Sequence, residues 1–264
     1  MVRGRTRTVL ARRWHGDDST RGPAELIIEE PLTIQRDGDL VATTMRTPGN
    51  DFELAVGFLH AEGALEGTAV STVRYCGTGS AVETEFNVVT VDTSGTGPVL
   101  APRLQTVSSA CGLCGAEEID DLRARLGRLP VVDAWSVDQL AVIGEKARSS
   151  QTLFDATGAV HAAAAFDRAG NLVAIREDIG RHNAVDKVVG RLHLDGGLPA
   201  EGLGLFVSGR ASFEMVQKAW AAGFEAVVAV SGPSALAVEA ARAAGLQLAA
   251  FSRGEQLTMY SPDE

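Results

Sequence analysis

The apolar positions sort the chain into a β-rich first part, an aperiodic middle and a regular α/β second part. From Ala24 to Arg46 they come in short runs (Leu26, Ile27, Ile28; Leu32, Ile34; Leu40, Val41), broken by Asp37-Gly38-Asp39, which suits a hairpin turn. That pattern predicts a small antiparallel sheet. Leu54, Ala55, Phe58 and Leu59 then recur on one helical face, with Asp51 placed to cap the helix and Gly63 to end it. Strand-rich sequence resumes over 70–91. Periodicity is then lost from Thr93 to about Ala116, a connection longer than compact domains ordinarily use and therefore read as a mobile functional loop. Helices follow over 117–129 and 136–149, the second opening with Ser136 and Gln139 in capping-box register. Predicted strands over 159–166, 172–177, 203–208, 226–231 and 246–251 alternate with helices around 181–193, 212–222 and 234–244. The strand runs are nearly continuous in Val, Leu, Ala and Phe, so the sheet is covered on both faces: an α/β sandwich with a partly parallel sheet.

These shifts divide the 264 residues into a loose basic arm (1–23), a β-rich lobe (24–105), a mobile Cys-x-x-Cys loop (106–116) and an α/β domain (117–264). The arm carries Arg3, Arg5, Arg7, Arg12, Arg13 and Arg21, and no apolar stretch of signal-peptide length follows it. A mean hydropathy of +0.06 describes an ordinary soluble chain, and the longest apolar runs fall far short of the roughly 20 residues of a membrane helix. The net charge of −10 speaks against broad nucleic-acid binding, although one local basic patch can still hold a phosphate. Three cysteines, Cys76, Cys111 and Cys114, cannot close a set of disulfides; the last two read as a reduced pair, which implies the cytoplasm.

Ser109-Ala110-Cys111-Gly112-Leu113-Cys114-Gly115 places two thiols three positions apart between glycines, just before a helix whose N-terminus favours thiolate, while Glu117, Glu118, Asp120 and Asp121 oppose it. Four readings compete. A structural zinc site needs four ligands and finds only Cys76 and scattered histidines beyond the pair. A thioredoxin-type dithiol expects its motif after an early strand. A sulfur carrier would hold sulfur as a persulfide, and two ordinary thiols would do nothing. Separately, Ser208-Gly209-Arg210, Ser231-Gly232-Pro233 and Ser252-Arg253-Gly254 each fall where an apolar strand stops. They suit either a nucleotide site at the carboxyl ends of parallel strands or simple tight turns. Neither a Walker A sequence nor G-x-G-x-x-G is present. The dense polar run from Arg176 to Asn183 fits ligand binding with His182 as proton shuttle, and fits equally a hydrogen-bonded junction between two layers.

Taken together, Thr47-Pro48, Gly57-Phe58-Leu59 with Glu62-Gly63, the Cys111 to Gly115 loop, Glu177 to Lys187, Ser208-Gly209-Arg210 and Phe251 to Gly254 resemble the formate dehydrogenase accessory sulfurtransferase family, FdhD, over about Glu25 to Tyr260. The resemblance implies a cytidine-deaminase-like three-layer α/β sandwich with a smaller β-rich N-terminal lobe, and a homodimer. It implies a sulfurtransferase that takes sulfur from a cysteine desulfurase and delivers it to molybdenum bis(molybdopterin guanine dinucleotide), the bound substrate, for formate dehydrogenase, with no tightly held metal of its own. Carried onto this chain, Cys111 would be the persulfide carrier with Cys114 beside it. Phe251, Ser252, Arg253, Gly254, Glu255 and Gln256 would contact the guanine dinucleotide. Zinc deaminase chemistry would need H-x-E and a later P-C-x-x-C; His161-Ala162-Ala163 lacks the glutamate, and the cysteine pair precedes the histidine behind Ala110. A noncatalytic cofactor chaperone and a dithiol oxidoreductase remain the rival readings.

Overall fold

A computed structural model describes residues 4–76, 80–98 and 115–262. The basic arm is not loose where it is described. Thr6–His15 (β1) and Asp18–Ile27 (β2) pair along their length as an antiparallel hairpin. Most of this ribbon is exposed, so no buried face imposes the alternation of apolar residues by which a strand is ordinarily read. Its root is fixed by Arg5, whose Nη2 donates to the Glu177 carbonyl at 3.0 Å.

Glu30–Arg36 (β3) and Asp39–Arg46 (β4) form the predicted hairpin about Asp37 and Gly38. Asp51–Ala61 (α1), Thr72–Tyr75 (β5) and Val88–Asp92 (β6) complete the small lobe, in the strand order β4-β3-β6-β5. The sheet is not wholly antiparallel: β6 lies parallel to β3, because α1 lies in the long connection that a parallel pair needs. Leu54, Ala55 and Leu59 of α1 close a core with Leu32, Ile34, Val89 and Val91. Asp51 does not cap the helix. The N-cap is Asn50, in the left-handed region at φ 57° and without a side-chain bond, while the buried Asp51 carboxylate accepts from Arg46 Nε at 3.1 Å and Nη2 at 3.0 Å.

The larger lobe contains Gly115–Leu126 (α2), Val137–Ala141 (α3), Ile143–Arg148 (α4), Thr152–Thr157 (α5), His161–Asp167 (β7), Leu172–Asp178 (β8), Arg181–Leu194 (α6), Leu203–Val207 (β9), Phe213–Ala222 (α7), Ala226–Ala229 (β10), Ala235–Ala244 (α8), Gln247–Arg253 (β11) and Gln256–Ser261 (β12). The capping box at Ser136 and Gln139 is present, but the single helix expected over 136–149 is divided at Val142. Among the described residues the sheet order is β12-β11-β10-β9-β7-β8, with β9, β10 and β11 parallel and β7 and β12 antiparallel to their neighbours. Side chains alternate across it as strand geometry requires. Ala163, Leu205, Val207, Val227 and Leu248 pack with α2, α6, α7 and α8, whereas Ala164, Phe166, Phe206, Val228 and Ala249 pack with Trp135, α3 and α4.

The lobes meet where α1 crosses α6. A Cβ at Gly57 would overlap the Asp186 carbonyl and stand 2.8 Å from the Gly190 nitrogen, and one at Gly190 would overlap the Glu53 carbonyl. The helices therefore touch backbone to backbone, which glycine alone permits. This contact explains why α1 is buried on nearly every side rather than on the one face that periodicity predicts.

Candidate functional site

Because β9, β10 and β11 run parallel, their carboxyl ends open on one edge of the sheet. The end of β8 and the start of β7 reach the same edge by their opposite directions. The three Ser-Gly or Ser-Arg tips do converge there. Ser231 N donates to Gly209 O at 3.2 Å, Phe251 N donates to Ser231 O at 3.4 Å, and Ala211 bridges Pro233. Beside them, on the face covered by α4, lies a cavity of about 480 Å³. Phe206, Val230 and Val160 give it apolar walls; Ser208, Ser252, Arg253 and His161 line it from the sheet, and Gly144, Arg148, Gln151 and Phe154 from the helical side. A pocket of this size, mostly apolar with a few placed polar groups, is typical of small-ligand sites.

Of the six residues expected at the cofactor, Ser252 and Arg253 line the cavity. Phe251, Gly254, Glu255 and Gln256 build the tight β11–β12 connection that presents them: Arg253 pairs with Gln256, Gly254 turns the chain at φ 57°, and the Phe251 ring lies against Gly232. Ser252 is 3 % exposed, and its Oγ has no hydrogen-bond partner among the described residues. Arg253 is exposed, and its guanidinium is committed to no described residue, whereas Arg148 lies over the Phe154 ring and pairs with Asp155 at 2.7 Å. His161 Nδ1 stands 3.5 Å from Ser208 Oγ. Burial first, then the charges of Arg181 and His182, hold this imidazole below the usual histidine range despite Asp178, so it is neutral at pH 7 and serves as a hydrogen-bonding group. Cys111 and Cys114 lie outside the described residues; Cys76 is buried at the end of β5.

The polar run from Arg176 to Asn183 resolves mainly into the junction between layers. Arg176 donates to both oxygens of Glu53. Asp178 accepts from Thr47 N at 3.0 Å, Gly180 N at 2.8 Å, Asn183 Nδ2 at 3.0 Å and Lys187 Nζ at 2.6 Å, and Lys187 also donates to Thr47 O. Asp178 and Lys187 are wholly buried. His182 is half-buried, with Nε2 2.5 Å from Glu214 Oε2, and this hydrogen bond is the main cause that lowers the Glu214 carboxyl below its usual range. Sequence reasoning missed Gln151, Phe154 and the wall made by α4. Only a six-residue helix without apolar periodicity marks that stretch.

Residues 27–264 match the family model described as FdhD/NarQ family. The chain belongs to the FdhD/NarQ family. Among its FdhD relatives, the sulfur carrier protein FdhD of Streptomyces avermitilis is 44 % identical over 93 % of this chain and 90 % of its own length. That of Nocardia farcinica is 46 % identical over 89 % of this chain and 86 % of its own. A solved structure described as a formate dehydrogenase accessory protein, from Desulfotalea psychrophila, superposes with a TM-score of 0.75 over 99 % of each chain at 21 % identity, which establishes a shared fold. Nearly all of β1 and β2 precedes the part that the family model covers.

Proposed function

We propose that this protein is a sulfur carrier and sulfurtransferase of formate dehydrogenase maturation, acting on molybdenum bis(molybdopterin guanine dinucleotide) as its substrate. The names of the relatives support the carrier role. The observation that carries the cofactor half is the cavity at the carboxyl edge of the parallel strands, where Ser252 and the uncommitted Arg253 stand together. In this reading the Cys111 thiolate takes the outer sulfur from the persulfide of a cysteine desulfurase, whose own thiolate leaves. The outer sulfur of the Cys111 persulfide, at the zero oxidation level, then passes to the reduced cofactor, whose electron pair makes the new bond to sulfur as the sulfur–sulfur bond breaks and Cys111 leaves as thiolate, with Cys114 at hand in the same loop. Arg253 pairs with phosphate oxygens of the guanine dinucleotide, as a guanidinium fork does well. The mixed sheet with helices on both faces is consistent with the deaminase-like layout that the sulfurtransferase family implies. Homodimer formation and a cytoplasmic setting belong to the same proposal.

Two measurements test it. Incubation with a desulfurase and cysteine is expected to add 32 Da per sulfur to the intact mass of the wild-type chain, about the mass of one sulfur atom, and none to Cys111→Ala; persulfide retained in that variant overturns the carrier assignment. GDP is expected to bind, and Arg253→Ala to weaken it by about tenfold or more, the loss of a charged hydrogen bond. Undiminished affinity removes Arg253 from the site.

A further inference from the structure

We infer that the outward face of the β1–β2 ribbon docks the protein that takes the cofactor away, through an acidic surface of cofactor-free formate dehydrogenase; the inference rests on the delivery reading above. Side chains alternate across a strand pair, and the register sets Leu10 opposite Pro23, Arg12 opposite Arg21 and Trp14 opposite Ser19 on one face. All of these are exposed, Leu10 by 68 % and Trp14 by 66 %, whereas Val9, Ala11, Gly22 and Ala24 on the other face are partly covered. Like charges directly opposite weaken a strand pair, and the fold offers no relief. Arg12 and Arg21 make no ion pair or hydrogen bond with any described residue, and Glu25, the one acid among the facing pairs, accepts from Thr8. An aromatic anchor beside two free arginine forks is the composition of a binding hot spot.

Charge sets the chemistry of the partner. The first 27 residues hold six arginines against three acids, while the rest of the chain holds 18 basic against 31 acidic groups. Two neighbouring guanidinium forks take two carboxylates, with an apolar seat beside them for the indole ring. Place sets its identity. β2 packs against α5, whose Phe154 lines the cavity, and Arg5 at the root of the ribbon donates to the carbonyl of Glu177, whose side chain caps α5. Whatever the ribbon holds is therefore held beside the cavity wall, and the protein that must come to that wall is the acceptor of the bound cofactor. A second copy of this chain also offers acidic surface, but it needs no access to the cavity.

Binding of the full wild-type chain to cofactor-free formate dehydrogenase, read by interferometry, is expected to weaken as salt is raised. Arg12→Glu/Arg21→Glu is expected to lose about hundredfold in affinity and Trp14→Ala about tenfold, with GDP affinity and melting temperature unchanged. Sedimentation of both variants is expected to show the self-association of the wild type. Undiminished affinity for the dehydrogenase in both variants overturns the inference. So does loss of self-association with the affinity for the dehydrogenase kept, which gives the ribbon to a second copy. A wild-type chain that binds GDP and carries persulfide yet does not bind the apoenzyme overturns this inference and leaves the carrier reading standing. Absence of GDP binding to the wild-type chain overturns both.

Discussion

Glu177 and Asp178 are neighbours in sequence and point to opposite sides of β8, as successive strand residues must. Glu177 caps α5, while Asp178 receives Thr47 of the small lobe and Lys187 of α6. One dipeptide therefore serves both the site and the junction, which is why its polar density suggests binding and structure equally when only sequence is read. Histidines give the residue scale a pH dependence. His60, His161 and His193 are all held below the ordinary histidine value, burial being the largest cause in each. His60 Nε2 lies 3.0 Å from the Ala221 carbonyl, its ring 5.5 Å from that of His193, whose buried Nδ1 has no partner among the described residues. Between these lowered values and about 6.5 the unfolded chain binds more protons than the folded one, so stability is complete above about pH 7 and falls as the solution is acidified. Melting temperature is expected to drop from pH 7.5 to 5.5, and a His60→Gln/His193→Gln double variant to show a flatter slope. An unchanged slope in that variant would take the pair out of the dependence.

At the scale of elements, the crossing of α1 and α6 is the contact most sensitive to a single methyl group. Gly57→Ala or Gly190→Ala must push two backbones apart, and a destabilisation of about 3 kcal/mol or more is expected for each by urea titration. A loss under about 0.5 kcal/mol would show that the helices can separate cheaply. The strands of the large lobe were legible because burial on both faces writes them as continuous apolar runs, and α6, α7 and α8 because they alternate with those strands. β1 and β2 were not, since an exposed ribbon carries no buried stripe. Two short elements and one helix break also escaped. α5 spans six residues and buries none, the break at Val142 occurs within helical dihedrals, and β12 is half exposed on an edge. The strand tips of the site could be found by their Ser-Gly and Ser-Arg punctuation, whereas α5 is capped only by Glu177, a tertiary contact invisible to local pattern.

For the whole molecule, the two lobes have separate cores, yet polar contacts link them: Asp178 accepts from Thr47 N, the buried Lys187 donates to Thr47 O, and Arg176 donates to Glu53. Breaking a buried pair by removing one partner costs about 3–5 kcal/mol, because the other charge is left uncompensated. The small lobe cannot leave the large one without breaking the Thr47 contacts of Asp178 and Lys187 and separating the helix crossing, so the lobes should open together. Native-state hydrogen exchange is expected to give the slowest amides of β3 and β6 the same opening free energy as those of β9 and β10. In Lys187→Met the coupling contact is lost, and the β3 and β6 amides should then open at lower free energy than the β9 and β10 amides, as a separate unit. Unequal protection already present in the wild-type chain would mean that the lobes unfold independently. In that case the polar run from Arg176 to Lys187 would orient the site without fastening the fold.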